Sequence, residues 1–407
     1  MIDLTDKENL TLKPKHPRLL LAITTHGVAL AKSIHKDLQA DLFYPEKFLV
    51  SRDATGDSAG VDAGVSAGGI IGDTTSDITD DTSVFVYRGN VKVLLEIAFG
   101  LYKEIIAIVS IGALVRLMAP LLKDKKTDPA VVVLDEKSKY AISVLSGHIG
   151  GANELAKEVA AISGAEAVIT TASDVNRTLA VDILGKKFGW VVEQSSALTP
   201  ASASVVNEEP VALIQESGET NWWNFDKKLP ENIHVYHSIN DLTTNDYKST
   251  LWITHRDLSS GEKQQIENTV VYHPRVIVLG IGCNRGTATE EIESVIIETL
   301  KEQQLSFDSV LAICTIDIKK DEQGLIDVCK MHNWPLSFYS AKELNTMDIE
   351  SPSETVFKYT GAYGVSEPAA KLFSANNKLI VTKKKSGNVT ISVGLIATEG
   401  FYKPNYE

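Results

Sequence analysis

Leu19 to Thr24 run almost wholly apolar, and the next apolar positions, Val28, Leu30, Ala31, Ile34 and Leu38, recur at helical spacing. That pattern predicts a buried strand followed by an amphipathic helix, and the alternation continues along the chain. Strands are predicted at 84–87, 105–110, 130–134, 140–145 and 167–170, with helices across 91–101, 112–122 and 153–162. After His273-Pro274 it resumes with strands at 275–279, 310–316 and 336–339 and helices at 289–301 and 323–332. Residues 378–382 and 389–393 close the chain as a hairpin around Ser386-Gly387-Asn388. Strands alternating with helices predict an α/β, multi-domain chain of mostly parallel sheets in three layers.

Between the two blocks the pattern thins. Residues 177–262 carry short apolar segments, 211–214, 234–236 and 251–254, among Asn, Thr, Ser and Trp. They predict a smaller middle domain, so the chain divides into an N-terminal α/β domain at 1–176, a middle domain at 177–262 and a C-terminal α/β domain at 275–407. The Trp222-Trp223 pair reads as one core and one rim residue. Residues 51–83 show no period and hold one base, Arg52, against seven aspartates, which predicts a flexible surface insertion.

Composition narrows the function. The net charge of −13 argues against general nucleic-acid binding, which needs a basic surface to displace counterions from phosphate. No apolar run approaches the roughly 20 residues of a membrane helix. The start, Met1-Ile2-Asp3-Leu4-Thr5-Asp6, is acidic, unlike a secretory leader. Cys283, Cys314 and Cys329 lack metal-ligand spacing, so no metal site is predicted, and their usage suits a reducing cytoplasm.

Three loops carry candidate chemistry. Ser146-Gly147-His148-Ile149-Gly150-Gly151-Ala152-Asn153-Glu154 follows a strand and enters a helix, with Asn153 as the predicted N-cap. Its histidine is predicted at the strand's C-terminal edge, where open α/β sheets place ligands; a catalytic and a structural His148 are equally compatible with the sequence. Lys123-Asp124-Lys125-Lys126-Thr127-Asp128-Pro129 offers either cations that complement a helix dipole or a rim for carboxylates. Gly280-Ile281-Gly282-Cys283-Asn284-Arg285-Gly286 reads as a tight strand–helix turn or as an anion site with Arg285 as fork donor. Its third glycine is one position late for a dinucleotide fingerprint, although Asp317 stands where a ribose-binding acid could. Thr170-Thr171-Ala172-Ser173-Asp174 could line the same crevice as His148, and Cys283 reads as packing.

At these residues the chain resembles a known family. Ile111-Gly112-Ala113-Leu114-Val115-Arg116-Leu117-Met118-Ala119-Pro120, the Lys125 to Val131 segment, the Leu145 to Ala156 segment and Ile169-Thr170-Thr171-Ala172-Ser173-Asp174 are similar to the N-terminal domain of cobalt-precorrin-5A hydrolases. Gly280 to Gly286, Asp317-Ile318-Lys319-Lys320-Asp321-Glu322, Tyr339-Ser340-Ala341-Lys342-Glu343-Leu344-Asn345 and Val365-Ser366-Glu367-Pro368-Ala369-Ala370 resemble its C-terminal domain, in the same order. The resemblance implies hydrolysis of the δ-lactone of cobalt-precorrin-5A in anaerobic cobalamin biosynthesis, giving cobalt-precorrin-5B and acetaldehyde. Cobalt then arrives within the corrinoid substrate, and no separate cofactor is expected.

Lactone opening needs a base for water and donors for the oxyanion. His148 is the expected base, with Glu154 and Asp174 as the carboxylate alternatives. Gly147, Gly150, Gly151, Asn153, Gly280, Gly282 and Gly286 are the expected loop contacts. Arg116, Lys125, Lys126, Arg285 and Lys319 are expected to clamp substrate carboxylates, with Glu367 beside them. One crevice built from all three loops is the expected site. A non-catalytic corrinoid-binding or scaffolding protein of the pathway, and a nucleotide-binding oxidoreductase resting on the Gly280 loop, are the competing readings. The sequence leaves the oligomeric state open, a homodimer included, and admits transient contact with other cobalamin-pathway enzymes.

Overall fold

A computed structural model describes residues 1–5, 12–49, 82–193, 195–223, 228–242 and 246–396. The insertion expected at 51–83 lies outside the described residues as far as residue 81. The chain forms two compact units, Met1–Val175 and Asn176–Glu407.

In the first unit the strands are β1 (Ile2–Asp3), β2 (Arg18–Ala22), β3 (Asp41–Pro45), β4 (Val84–Arg88), β5 (Glu104–Ile108), β6 (Ala130–Leu134), β7 (Tyr140–Leu145) and β8 (Glu166–Val168). The helices are α1 (Thr25–Ile34), α2 (Val91–Leu101), α3 (Ile111–Met118), α4 (Ala152–Ser163) and the short α5 (Ala172–Val175). The sheet order is β1-β4-β3-β2-β5-β6-β7-β8. Strands β1 to β6 all run parallel. Leu20, Leu42, Ile106 and Val132 pack on one face, and Leu19, Phe43, Ile105 and Val131 on the other. Both faces are buried, which is why these strands read as continuous apolar runs and not as an alternation.

Direction reverses at the end of the sheet. β7 pairs antiparallel with β6, matching Val131 with Leu145, and β8 runs parallel to β7. The loops leaving β7 and β8 therefore emerge at the edge where β5 and β6 begin. His148 lies at the C-terminal end of its strand β7, as predicted, but that edge is opposite the C-terminal ends of the parallel block.

The second unit holds two five-stranded sheets. The first contains β9 (Val191–Val192), β10 (Val211–Gln215), β11 (Ile233–Tyr236), β12 (Ser249–Ile253) and β13 (Thr269–His273), with α6 (Leu198–Val206) and α7 (Ser260–Lys263). β13 extends this sheet beyond residue 262, into a stretch that the sequence reading assigned to no element. Trp222 is buried with its indole N–H on Gln215 Oε1 at 2.9 Å, and Trp223 packs partly exposed against the same core. The other sheet contains β14 (Ile277–Cys283), β15 (Val310–Ile316), β16 (Leu336–Tyr339), β17 (Leu379–Ser386) and β18 (Val389–Leu395). Its helices are α8 (Thr289–Glu302), α9 (Gln323–His332), α10 (Ala341–Leu344), α11 (Glu354–Thr360) and α12 (Ser366–Ser374). The two sheets are joined where Asp257 N–H donates to Gln304 O at 2.8 Å and Ser306 N–H to His255 O at 2.9 Å. No described helix is long and apolar enough to cross a membrane.

Candidate functional site

The loop after β7 winds tightly before α4. Ala152 N–H donates to Ser146 O at 3.1 Å, Asn153 N–H to Gly147 O at 3.0 Å and Gly151 N–H to His148 O at 3.1 Å. A Cβ at Gly147 would lie 2.8 Å from Asn153 Oδ1, and one at Gly150 would lie 2.3 Å from Ser146 Cβ, so neither turn admits a side chain. Gly151, in the left-handed region with φ 94°, is the N-cap of α4, and Asn153 sits inside the helix instead of capping it. This winding already satisfies the N–H groups of residues 151 to 153. Among the described residues, those of Gly147 and Gly150 stay without a carbonyl partner.

The loop after β8 meets it. His148 Nε2 lies 2.9 Å from Asp174 Oδ2 and 3.0 Å from Ser173 Oγ. Asn153 Nδ2 donates to Asp174 Oδ2 and to Thr171 Oγ1, both at 2.9 Å, while its Oδ1 accepts from Ser143 Oγ at 2.7 Å. The His148 side chain is 14% exposed and that of Asp174 30%. His148 is therefore largely buried although it stands on a loop. It is an imidazole with its Nε2 held by a carboxylate, an arrangement suited to proton transfer.

Glu154 stands apart from this group. Its side chain is 78% exposed and pairs with Lys157 Nζ at 2.7 Å. The lysine turn is attached to the site, because Ser146 Oγ donates to Asp128 O at 3.0 Å. Within that turn the acids face their own backbone: Asp128 accepts from Lys123 N–H at 3.0 Å and Asp124 from Lys126 N–H at 2.8 Å. The ammonium groups of Lys125 and Lys126 consequently have no acidic partner among the described residues. Among the described residues Arg116, on α3, donates only to Gly112 O, at 3.3 Å.

The third predicted loop belongs to the second unit and has a different character. Gly280 and Gly282 lie inside β14, which is hydrogen-bonded to β15 on one side and β18 on the other. A Cβ at Gly280 would come within 1.9 Å of Ser366 O, so glycine there lets α12 approach the strand. The backbone donors expected of an anion loop are instead ladder donors. Gly286 N–H is taken by Glu322 Oε1 at 2.7 Å, and Arg285 pairs with Asp321 at 2.5 Å. Lys319, 9% exposed, binds Glu322 at 3.0 Å. Glu367, 3% exposed, accepts from Lys371 at 2.7 Å and from Glu350 N–H at 3.1 Å. Burial pushes the Cys283 thiol up, in keeping with a packing role.

The structure thus gathers His148, Asp174, Asn153, Gly147 and Gly150, ties the Lys125-Lys126 turn to them, and engages Lys319, Glu367 and Gly286 within their own fold. Ser143 was missed by the sequence reading. Its one signal is a hydroxyl set in the apolar strand Tyr140–Leu145.

Sequence comparison adds three family matches: cobalamin synthesis G N-terminal over residues 93–174, cobalamin biosynthesis central region over 179–274 and cobalamin synthesis G C-terminus over 277–394. The chain is 48% identical to a cobalt-precorrin-5A hydrolase of Priestia megaterium over 97% of its length and 99% of the relative's. It is 33% identical to the cobalt-precorrin-5A hydrolase of Salmonella typhimurium, covering 73% of this chain and 83% of that one. A crystal structure of a putative cobalamin biosynthesis protein G homolog from Sulfolobus solfataricus aligns over 93% of this chain and 97% of the other, at 20% identity and a TM-score of 0.35.

Proposed function

Because the chain belongs to the cobalt-precorrin-5A hydrolase family, we propose that its His148–Asp174 pair activates the water that opens the substrate's lactone. The enzyme hydrolyses cobalt-precorrin-5A to cobalt-precorrin-5B and acetaldehyde in cobalamin biosynthesis. The observation that carries the assignment is the 2.9 Å contact between His148 Nε2 and Asp174 Oδ2 in a loop with N–H groups to offer.

In this reading His148 removes the proton as water attacks the lactone carbonyl, and Asp174 stabilises the imidazolium that forms. The N–H groups of Gly147 and Gly150, without a carbonyl partner among the described residues, are the candidates to receive the developing oxyanion. His148 then returns its proton to the ring oxygen as the carbonyl–oxygen bond breaks. The freed alcohol leaves as acetaldehyde when it loses its hydroxyl proton and its C–C bond to the macrocycle breaks, the electron pair of that bond passing to the macrocycle. Lys125 and Lys126 receive acetate and propionate carboxylates of the corrinoid, with Arg116 on the preceding helix as a further cation. This resolves the mismatch between an acidic chain and a polyanionic substrate, because attraction depends on the local cluster and not on the net charge.

The direct test is purified protein with cobalt-precorrin-5A and water. Acetaldehyde should appear without added nucleotide or metal; turnover that required a nicotinamide would sink the hydrolytic reading, and corrinoid binding without turnover would favour a scaffold. We place the reaction in the cytoplasm, and light scattering during the same purification reads out whether the enzyme is a homodimer. A second expected result concerns the lysines. Lys125→Ala combined with Lys126→Ala should raise KM several-fold at low ionic strength and change kcat little. The difference should shrink near 1 M salt, where the screening length is about 3 Å. A KM that ignores both lysines at every salt concentration removes them from the substrate's path.

A further inference from the structure

His148 and the lysine turn lie at the edge of the first sheet where β5 and β6 begin. The opposite edge, at the C-terminal ends of the parallel strands, is where open α/β sheets usually hold ligands. Ile23 follows β2, Pro45 ends β3 and Arg88 ends β4, and these strands are neighbours in the sheet. A crevice of about 400 Å³ opens among them. Its lining is apolar at Ile23, Pro45, Tyr87 and Val91 and charged at Glu46, Lys47 and Arg88.

Two donors in this crevice are uncommitted. Tyr87 is 2% exposed and lines it, yet among the described residues its hydroxyl has no hydrogen-bond partner. Burial pushes the phenol up, so at neutral pH it keeps its proton and stays a donor. A buried hydroxyl left unpaired costs free energy that an acceptor in the crevice would restore. The second donor is the Val91 N–H, the first of α2. Asn90 accepts Lys92 N–H at 2.9 Å through its side chain and Val93 N–H at 3.0 Å through its carbonyl, and among the described residues nothing takes Val91 N–H. The charges point the same way. Arg88 Nε is held by both carboxylate oxygens of Glu46, at 2.8 and 2.9 Å, so those two charges offset each other. Lys47 has no acidic partner among the described residues; its ammonium lies 4.9 Å from the Phe48 ring centre. A spare cation, a helix N-terminus and a phenol donor favour an anionic acceptor, and the apolar wall favours a hydrocarbon body beside it. We propose that this crevice is a second binding site, for a small carboxylic acid with a short apolar chain. Its volume suits a chain of a few carbons and is too small for a tetrapyrrole ring. None of its residues belongs to the His148 loop or the lysine turn, so it stands apart from the hydrolytic assignment.

The test is saturation-transfer NMR on the full-length protein with hexanoate, and with hexanamide as its uncharged counterpart. Hexanoate should bind, and hexanamide about tenfold more weakly, because hydrogen bonds to a charged acceptor are the stronger ones. Tyr87→Phe should weaken hexanoate binding on the order of tenfold. It should leave the melting temperature and the hydrolytic turnover unchanged, since the hydroxyl has no partner in the fold to lose. Lys47→Ala should weaken binding several-fold, and that difference should close near 1 M salt, where the screening length is about 3 Å. Lys125→Ala combined with Lys126→Ala should bind hexanoate as the wild type does. Hexanoate that binds no better than hexanamide overturns the proposal. So does binding that ignores Tyr87→Phe, or that falls with Lys125 and Lys126. Displacement of hexanoate by cobalt-precorrin-5A in the double lysine variant overturns it too, because the crevice would then seat a side chain of the substrate and not a separate acid.

Discussion

His148→Ala is expected to lower kcat for cobalt-precorrin-5A by roughly two to four orders of magnitude, the usual worth of a positioned general base. KM should change little, because the ring is assigned to the attacking water and the carboxylate contacts to Lys125 and Lys126. Stability should change modestly. The substitution removes contacts to Asp174 and Ser173, and Asp174 keeps the Asn153 donor. The competing outcome is distinct. A structural histidine would lower the melting temperature, and activity would fall only with the folded fraction. Turnover measured beside thermal unfolding therefore separates the two. A stable variant with near-normal turnover takes His148 out of the chemistry. Water activation would then fall to Asp174, since Glu154 points to solvent and pairs with Lys157.

Much of the sheet framework was legible because apolar runs bounded by polar residues leave little choice. The strands Ala130–Leu134, Tyr140–Leu145, Val310–Ile316 and Leu336–Tyr339 and the helices Val91–Leu101 and Gln323–His332 fall where their patterns predict. The strand Asp41–Pro45 was not legible. Only three apolar residues stand between an acid and a proline, and the acid is buried because Lys15 N–H, His16 N–H and the Tyr102 hydroxyl bind it from distant positions. The helix Ser366–Ser374 was not predicted as an element and its Glu367 was expected beside the substrate clamp, because Glu367 and Lys371 look like surface charges until their buried pairing is seen. Gly280 and Gly282 looked like a loop because close helix approach and tight turning both call for glycine. The His148 loop announced itself by its glycines. Which edge it occupies depends on the reversal between β6 and β7, and pairing direction leaves no mark on periodicity. The roles of Asn153 and Ser143 depend on the register of β7 against β8 and α4, which is tertiary information.

The C-terminal cluster predicted to clamp substrate leads to a stability result instead. Glu322 is 2% exposed, accepts Lys319 Nζ at 3.0 Å and Gly286 N–H at 2.7 Å, and thereby closes the turns after β14 and β15. Glu322→Ala would leave the Lys319 ammonium buried without its partner and the Gly286 donor without an acceptor. Breaking a buried pair in this way costs about 3 to 5 kcal/mol, which for a unit of this size lowers the melting temperature by on the order of ten degrees. The effect carries a pH signature. Burial alone would raise the Glu322 carboxyl, but the Lys319 ammonium and the Gly286 N–H outweigh it and hold it below its usual 4.5. A carboxyl depressed in the folded state stabilises fully above its unfolded value and loses that contribution as pH falls through its folded one. The gap in melting temperature between wild type and Glu322→Ala should therefore be wide at pH 7 and narrow progressively below about pH 4.5. Turnover per folded molecule is expected to be unchanged at pH 7, because these side chains are engaged with one another within the fold. An unchanged melting temperature together with a raised KM would reverse that assignment and return Lys319 and Arg285 to the substrate's carboxylates.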